Sequence, residues 1–267
     1  MRKARRVTFL VFFACISALA PATGYAATFD SVTHIHGVKV FGKKIFMATH
    51  EGLYRYRAAN SMKKVPGPIF DVMGLGIYKK TLYAGGHPGA KTNFAEPVGL
   101  ISSKDGGENW KQVSLRGQVD FHMLEVGKFD IYGMDSGSGQ LMHSGDKGES
   151  WKKLGPNKFS DIAPQNTKRG AAYALLDGAL LQTVDGFATT VAIKTAMKWR
   201  SLEVVGRTIY AASGRDIYQS IDGAASWKKI ASFTNEVSSI SANSKLLVAI
   251  AGDTIFVSRD AGKSFKS

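Results

Sequence analysis

Cysteine is nearly absent. The chain of 267 residues holds one, Cys15, inside an apolar N-terminal segment. A chain processed beyond that segment has no thiol, so disulfides are excluded and stability rests on the packed core. A lipid anchor at Cys15 is opposed by Phe12, which stands where such a signal carries leucine. No stretch shows the 3.6-residue apolar period of a helix, no tract is low in complexity, and nothing marks a second domain. Acidic residues are the minority charge, 21 against 35 basic, for a net charge of +14. The basic residues are not gathered into runs interleaved with aromatics, which speaks against nucleic acid as a partner. The pairs Lys43-Lys44, Lys79-Lys80, Lys152-Lys153 and Lys228-Lys229 fall at turns or outer strands. There they read as solvated residues that block edge-to-edge pairing rather than as a polyanion site.

The N-terminus has the layout of a secretory signal. Arg2, Lys3, Arg5 and Arg6 precede the apolar run Val7–Ala20, and Gly24-Tyr25-Ala26 offers a small-x-small cleavage site. The run is too short to span a bilayer. The expected division is a signal peptide over 1–26 and one domain over 27–267. The expected address is the periplasm or the exterior, for a monomer with no transmembrane span. Removing 1–26 takes away four basic residues and lowers the net charge from +14 to +10.

What the chain has in quantity is a repeat. Thr208–Trp227 reads TIYAASGRDIYQSIDGAASW: a β-branched and aromatic run, a turn, a second run, then S-x-D-G-x-x-S-W. Ser103–Trp110 and Ser144–Trp151 are full copies of the last element, Ser258–Phe265 carries Phe for Trp, and Thr183-Val184-Asp185-Gly186 is a decayed copy. Asp105, Asp146, Asp185, Asp222 and Asp260 are spaced 41, 39, 37 and 38 residues apart. An aspartate suits a tight turn because its carboxylate accepts backbone N–H bonds two residues on. Used five times for the same turn, it is structural. A sixth copy upstream has Ala58 in place of the Asp. A period near 40 with several short strands per copy predicts an all-β chain, a single β-propeller of six four-stranded blades. The Asp turn should join the third and fourth strands. Ring closure is left open, with Thr28–Ser31 a candidate to pair beside a short final strand at Ser264–Ser267.

Five of the six histidines fall on shared repeat positions. The copies align on a second-strand residue: Phe46, Tyr83, Tyr132, Tyr173, Tyr210 and Val248. His36 then matches Met73, His122, Ala163, Arg200 and Ser238. His34 matches Asp71, Asp120, Asp161, Lys198 and Glu236, and His50 matches His87 and Ser136. The first strand of a blade lines the channel and the second runs antiparallel beside it. The start of one and the end of the other therefore share one face, which the long Pro88–Pro97 loop also leaves. Neutral imidazoles with Asp and Met nearby suit a transition metal, copper where Met joins and zinc or manganese where carboxylate does. The candidate metal ligands are His34, His36, His50, His87 and His122, with Met73, Asp71, Asp120 and Arg200 as candidate ligand-binding residues. His143 lies beside the Asp146 turn, away from these positions, and is expected at the surface.

The Asp turns resemble the BNR/Asp-box repeats of sialidases, sortilin-type receptors and related propellers. The elements His34-Ile35-His36-Gly37, Met47–Leu53, Gly86-His87-Pro88 and Asp120-Phe121-His122 resemble a group of small secreted bacterial propellers labelled glycosyl hydrolase or exo-sialidase-like. In that resemblance His36, His50, His87 and His122 are the characteristic positions. A sialidase-like activity would need an arginine triad and a Tyr–Glu nucleophile pair. The Arg-Ile-Pro entry motif is absent, and Arg200 alone among the arginines aligns to the channel. The favoured expectation is a non-catalytic binding propeller whose His-rich mouth takes copper, zinc or an anionic ligand. A sialidase-like glycoside hydrolase and an envelope assembly scaffold that engages a protein or glycan are the alternatives.

Overall fold

The structure, a computed structural model, describes residues 27–28 (backbone only), 32–58 and 61–267. The expected signal segment 1–26, with Cys15, lies outside the described residues. No helix among the described residues is long and apolar enough to cross a membrane.

Six antiparallel sheets follow one another along the chain, each built from one contiguous stretch with its strands in sequential order. Blade one begins at Ile35–Phe41, blade two at Asp71–Tyr78 and blade three at Phe121–Val126. Blade four begins at Asp161–Pro164, blade five at Ser201–Val205 and blade six at Val237–Ala242. These first strands line a central channel. The expected six-bladed propeller is what forms, with two local variations. Blade six has three full strands, its fourth reduced to a bridge between Val257 and Lys266. Blade one carries an extra outer strand, Ala27–Thr28, paired with Ser61–Lys64.

That pairing corrects the expectation for ring closure. Ala27–Thr28 joins the outer edge of blade one, not blade six, and residues 29–31 of the candidate segment lie outside the described residues. Blades one and six meet through side chains: Val38, Val40, Ile45 and Met47 pack with Leu246, Val248, Ile250 and Ile255. Two polar bonds cross the same seam, from Val40 N to Ser241 Oγ (3.1 Å) and from Asn243 Nδ2 to Gly42 O (2.9 Å). The core of the molecule is accordingly divided. Six apolar clusters lie one at each seam between neighbouring blades. The alternation of apolar residues on both faces of the inner strands follows from a sheet buried on two sides.

The Asp turns join third and fourth strands as predicted. In the Asp146 turn, Ser144 Oγ and Ser150 N donate to Asp146 Oδ1 (2.8 and 3.0 Å), and Gly148 N donates to Ser144 Oγ (2.8 Å). Trp151 Nε1 closes the unit on Gly148 O (3.0 Å). The Ser150 hydroxyl, which donates to Asp146 Oδ2, and then the Ser150 N–H and the Ser144 hydroxyl favour the ionised carboxylate and hold the pKa of Asp146 down at about 2. The decayed copy keeps the arrangement: Thr183 Oγ1 and Thr189 N donate to Asp185 Oδ1 at 2.9 Å each. Gly148 sits at φ 90°, and a Cβ there would lie 2.1 Å from Leu100 Cδ2 of the preceding blade. The turn therefore needs glycine both for its backbone and for its seat on the neighbour.

The closing seam gives a direct test. Met47 is fully buried within it. Met47→Ala should lower the unfolding free energy by about 2–5 kcal/mol, measured by denaturant titration, because the cavity cannot collapse between two rigid sheets.

Candidate functional site

The side chains at the channel mouth are set by a backbone irregularity. In blade one the cross-strand register runs Ile35↔Thr49, then Gly37↔Ala48, so His36 is an extra residue with no partner. The same shift falls between Val72 and Gly74, between Phe121 and Met123, and between Val237 and Ser239. The bulged residues are therefore His36, Met73, His122 and Ser238, the aligned set read from the sequence. A bulge breaks the strict in-and-out alternation and re-aims the side chain. All four line a channel cavity of about 250 Å³, together with Arg200.

The imidazoles do not meet at a single point. They form two groups, each with one aspartate and each across a seam. At the seam of blades one and two, His36, His50 and Asp71 bring one ligand atom each to within 4.8 Å of one another. His50 Nδ1 lies 2.6 Å from Asp71 Oδ2, and His36 Nε2 lies 3.3 Å from both Asp71 Oδ1 and His50 Nδ1. At the seam of blades two and three, His87, Asp120 and His122 do the same. His122 Nε2 is 2.8 Å and His87 Nε2 3.5 Å from Asp120 Oδ2. Glu96, from the Pro88–Pro97 loop, takes the other ring nitrogen of His87 at 2.8 Å. That bond fixes the ring and, ahead of the smaller pull of Asp120, raises the pKa of His87. Burial, together with the neighbouring imidazoles, lowers that of His36, so its ring stays neutral and able to coordinate.

Asp71 Oδ1, Asp120 Oδ1 and His122 Nε2 are buried without a hydrogen-bond partner. His122 Nε2 lies 2.8 Å from Asp120 Oδ2, so proximity is there but the N–H direction is not. Two imidazole nitrogens and a carboxylate converging with unspent lone pairs fit a transition metal with a fourth position open. The polar atoms of an ordinary hydrogen-bonded cluster are satisfied.

The other predicted residues separate. His34 is exposed, its ring 5.1 Å from that of His50, and it contributes no atom to either group. Met73 occupies the bulge of blade two, in order between His36 of blade one and His122 of blade three. Arg200 is exposed and lies 3.8 Å from Glu236. His143 corrects the surface expectation. It is half-buried on the third strand of blade three and bonded at 2.8 Å to the buried Asp130, which also accepts Gly170 N. Asp105, Asp146, Asp222 and Asp260 are turn residues far from the channel, as read.

Blade four departs from the alignment. Its first two strands pair Ala163↔Tyr173, where the other blades pair Lys39↔Phe46, Gly76↔Tyr83, Glu125↔Tyr132, Glu203↔Tyr210 and Ser241↔Val248. The longer connection from Gln165 to Ala171 adds three residues, so Ser160, not Ala163, is level with His36. Asp161 consequently sits deeper than Asp71 and Asp120, and its carboxylate accepts Leu202 N at 2.8 Å.

The register also exposes a belt that the sequence reading missed: Lys39, Gly76, Glu125, Ala163, Glu203 and Ser241, one per blade. Lys39 Nζ reaches across the level of Gly76 in blade two to both oxygens of Glu125 at 2.7 and 2.6 Å. Glu203 accepts Ser241 Oγ at 3.2 Å. Lys39 and Glu125 wall both the histidine-side cavity and a second one of about 390 Å³ toward the opposite mouth. Burial opposes the Lys39 charge, but Glu125 and Glu203 outweigh it and raise its pKa. Burial, and then repulsion from Glu125, pushes Asp161 up to about 7; burial pushes Glu203 to about 7 against the pull of Lys39.

Comparison with known proteins gives architecture. No family model and no curated protein matches the chain. Among solved structures, the extracellular domain of BT4673 from B. thetaiotaomicron is 14% identical with a TM-score of 0.53, covering 84% of this chain and 33% of that one. PorZ, a bacterial surface component of the type-IX secretion system of Porphyromonas gingivalis, is 13% identical with a TM-score of 0.57, covering 90% and 33%. The nidogen/laminin complex gives 13% identity and a TM-score of 0.57, covering 84% and 92%. The chain thus spans about a third of the length of the first and second of these. At such identities the likeness is one of fold: this chain is a six-bladed β-propeller, similar to propeller domains of extracellular and surface proteins.

The two raised carboxyl groups set a pH dependence. Their folded pKa near 7 lies above the unfolded value near 4, so the folded state holds the extra protons. Stability from this source is full below about pH 4 and is lost as pH rises through 7. Melting temperature should therefore fall from pH 4 to 7, and Asp161→Asn should flatten part of that slope. An unchanged slope would show Asp161 to be ionised throughout.

Proposed function

We propose that the protein is a non-catalytic, extracytoplasmic binding propeller that takes a transition-metal ion at each of two His2Asp groups on one channel mouth. The observation that carries this reading is the pair of groups: His36, His50 and Asp71 at one seam, His87, Asp120 and His122 at the next, with buried lone pairs left unspent. A two-imidazole, one-carboxylate set suits several divalent ions, zinc and iron(II) among them. Met73 lines the same cavity as His36 and His122, and a thioether there would favour copper. An extracytoplasmic address is supported by the signal-like N-terminus and by the nature of the propellers this fold resembles.

The glycoside hydrolase alternative draws less support. Such chemistry wants two carboxylates free to act on opposite sides of a bond, whereas Asp71 and Asp120 are each held against imidazoles. Arg200 is the one arginine lining the histidine-side cavity among the described residues, against the three an arginine triad needs. An envelope scaffold stays compatible with the same architecture, PorZ being described as a surface component of a secretion system.

Metal analysis of tag-free protein decides. Wild type should bind two equivalents of copper or zinc, His36→Ala and His87→Ala one each, and the double variant none. Absence of affinity for either ion in the wild type would remove the metal reading. Turnover of sialosides or aryl glycosides that Asp120→Asn abolishes would replace it with the hydrolase.

A further inference from the structure

A cluster of charge outside the channel is left without a role by the site above. Between blades one and two, on the outer wall of the ring, a cleft of about 170 Å³ is lined by Lys44, Arg55, Arg57 and Lys63, with Lys64 at its edge and the turn that carries Asp105 and Glu108 of blade two opposite. Phe46, buried, lies beneath that turn, where a Cβ on Gly106 would be 3.6 Å from its ring.

Strand pairing forces these cations together. Arg55 and Lys63 are direct cross-strand partners, which sets like charges about 4.5–5.5 Å apart at Cβ and destabilises the pair. Lys44 and Arg57 adjoin the Ile45↔Tyr56 pair one step further out. Arg57 is the extra residue of a bulge between Tyr56 and Ala58, so its side chain too leaves the regular alternation. Lys64 stands 5.4 Å over the Tyr54 ring.

Lys39 and Lys229 have Glu125 and Asp216 within ion-pair distance. None of the five cleft cations has such a partner among the described residues. Of the two acidic residues on the facing turn, Asp105 accepts from Ser103 and Asn109 and is committed to its turn, and Glu108 is exposed and forms no ion pair with these cations.

We infer that this cleft binds a phosphate-type oxyanion. Two guanidinium forks can each present paired N–H donors to phosphate oxygens, and the lysines add point charges around them. Binding would relieve the repulsion that the sheet register imposes on Arg55 and Lys63. The same chemistry comes from a soluble phosphate compound or from a phospholipid headgroup. The inference is independent of the imidazole groups, which lie at the inner strands.

The test uses pyrophosphate titration by calorimetry, and flotation with phosphatidylglycerol vesicles against phosphatidylcholine vesicles. Both are run on wild type, on Arg57→Glu/Lys63→Glu, and on Lys152→Glu/Lys153→Glu. The cleft pair and the control pair are all exposed, so folding is not at issue, and they change the net charge equally. Wild type is expected to bind at least one anionic probe. The cleft variant should lose about tenfold or more in affinity, as removal of charge-assisted contacts does, while the control stays near wild type. Pyrophosphate binding without flotation assigns a soluble phosphate, and flotation alone assigns the headgroup. Equal loss in the control variant would reduce the effect to net charge and overturn the inference, as would failure of wild type to bind either probe.

Discussion

Each blade buries both of its faces against its neighbours, and blades one and six meet in the same way. Among the described residues no strand is exchanged between them. The seam at Val38, Ile45, Met47, Val248 and Ile255, with its two polar bonds, closes the ring through side-chain packing. Every other feature depends on it. The two His2Asp groups each straddle a seam, so their geometry is only as fixed as the angle between adjacent blades. The Asp turns reinforce that angle, since Gly148 seats on Leu100 of the blade before it.

Within that frame, small departures from regularity carry the chemistry. A regular first strand would alternate its side chains between the two blade faces. A single inserted residue in each of four blades turns His36, Met73, His122 and Ser238 toward the cavity instead. Asp71 and Asp120 stand at equivalent places in successive blades, yet they recruit different partners. Asp71 takes two imidazoles from the preceding blade, whereas Asp120 takes one from the preceding blade and one from its own. Repetition supplied the positions, and substitution within the repeats made the two groups unlike each other.

Much of this was readable in the residues. The spacing of Asp105, Asp146, Asp185, Asp222 and Asp260 gives the blade count, and the turn position follows because S-x-D requires a tight reversal. The alignment that put His36, Met73 and His122 together is sound in blades one to three, where the connections between first and second strands are equally short. It slips in blade four, because extra residues between Gln165 and Ala171 displace Asp161, a change invisible to an alignment anchored on Tyr173. The division of the imidazoles into two groups could not be read either, since it depends on which seam each side chain crosses. The Lys39–Glu125 pair links blades one and three past a glycine in blade two. No periodicity marks a contact between residues 86 positions apart.

That lysine–glutamate pair has a consequence for the two ends of the axis. It borders both the cavity on the histidine side and the cavity toward the opposite mouth. A change in the charge of either partner is therefore felt at both mouths, so the two ends of the ring share one electrostatic boundary although no side chain of the His2Asp groups reaches the far cavity.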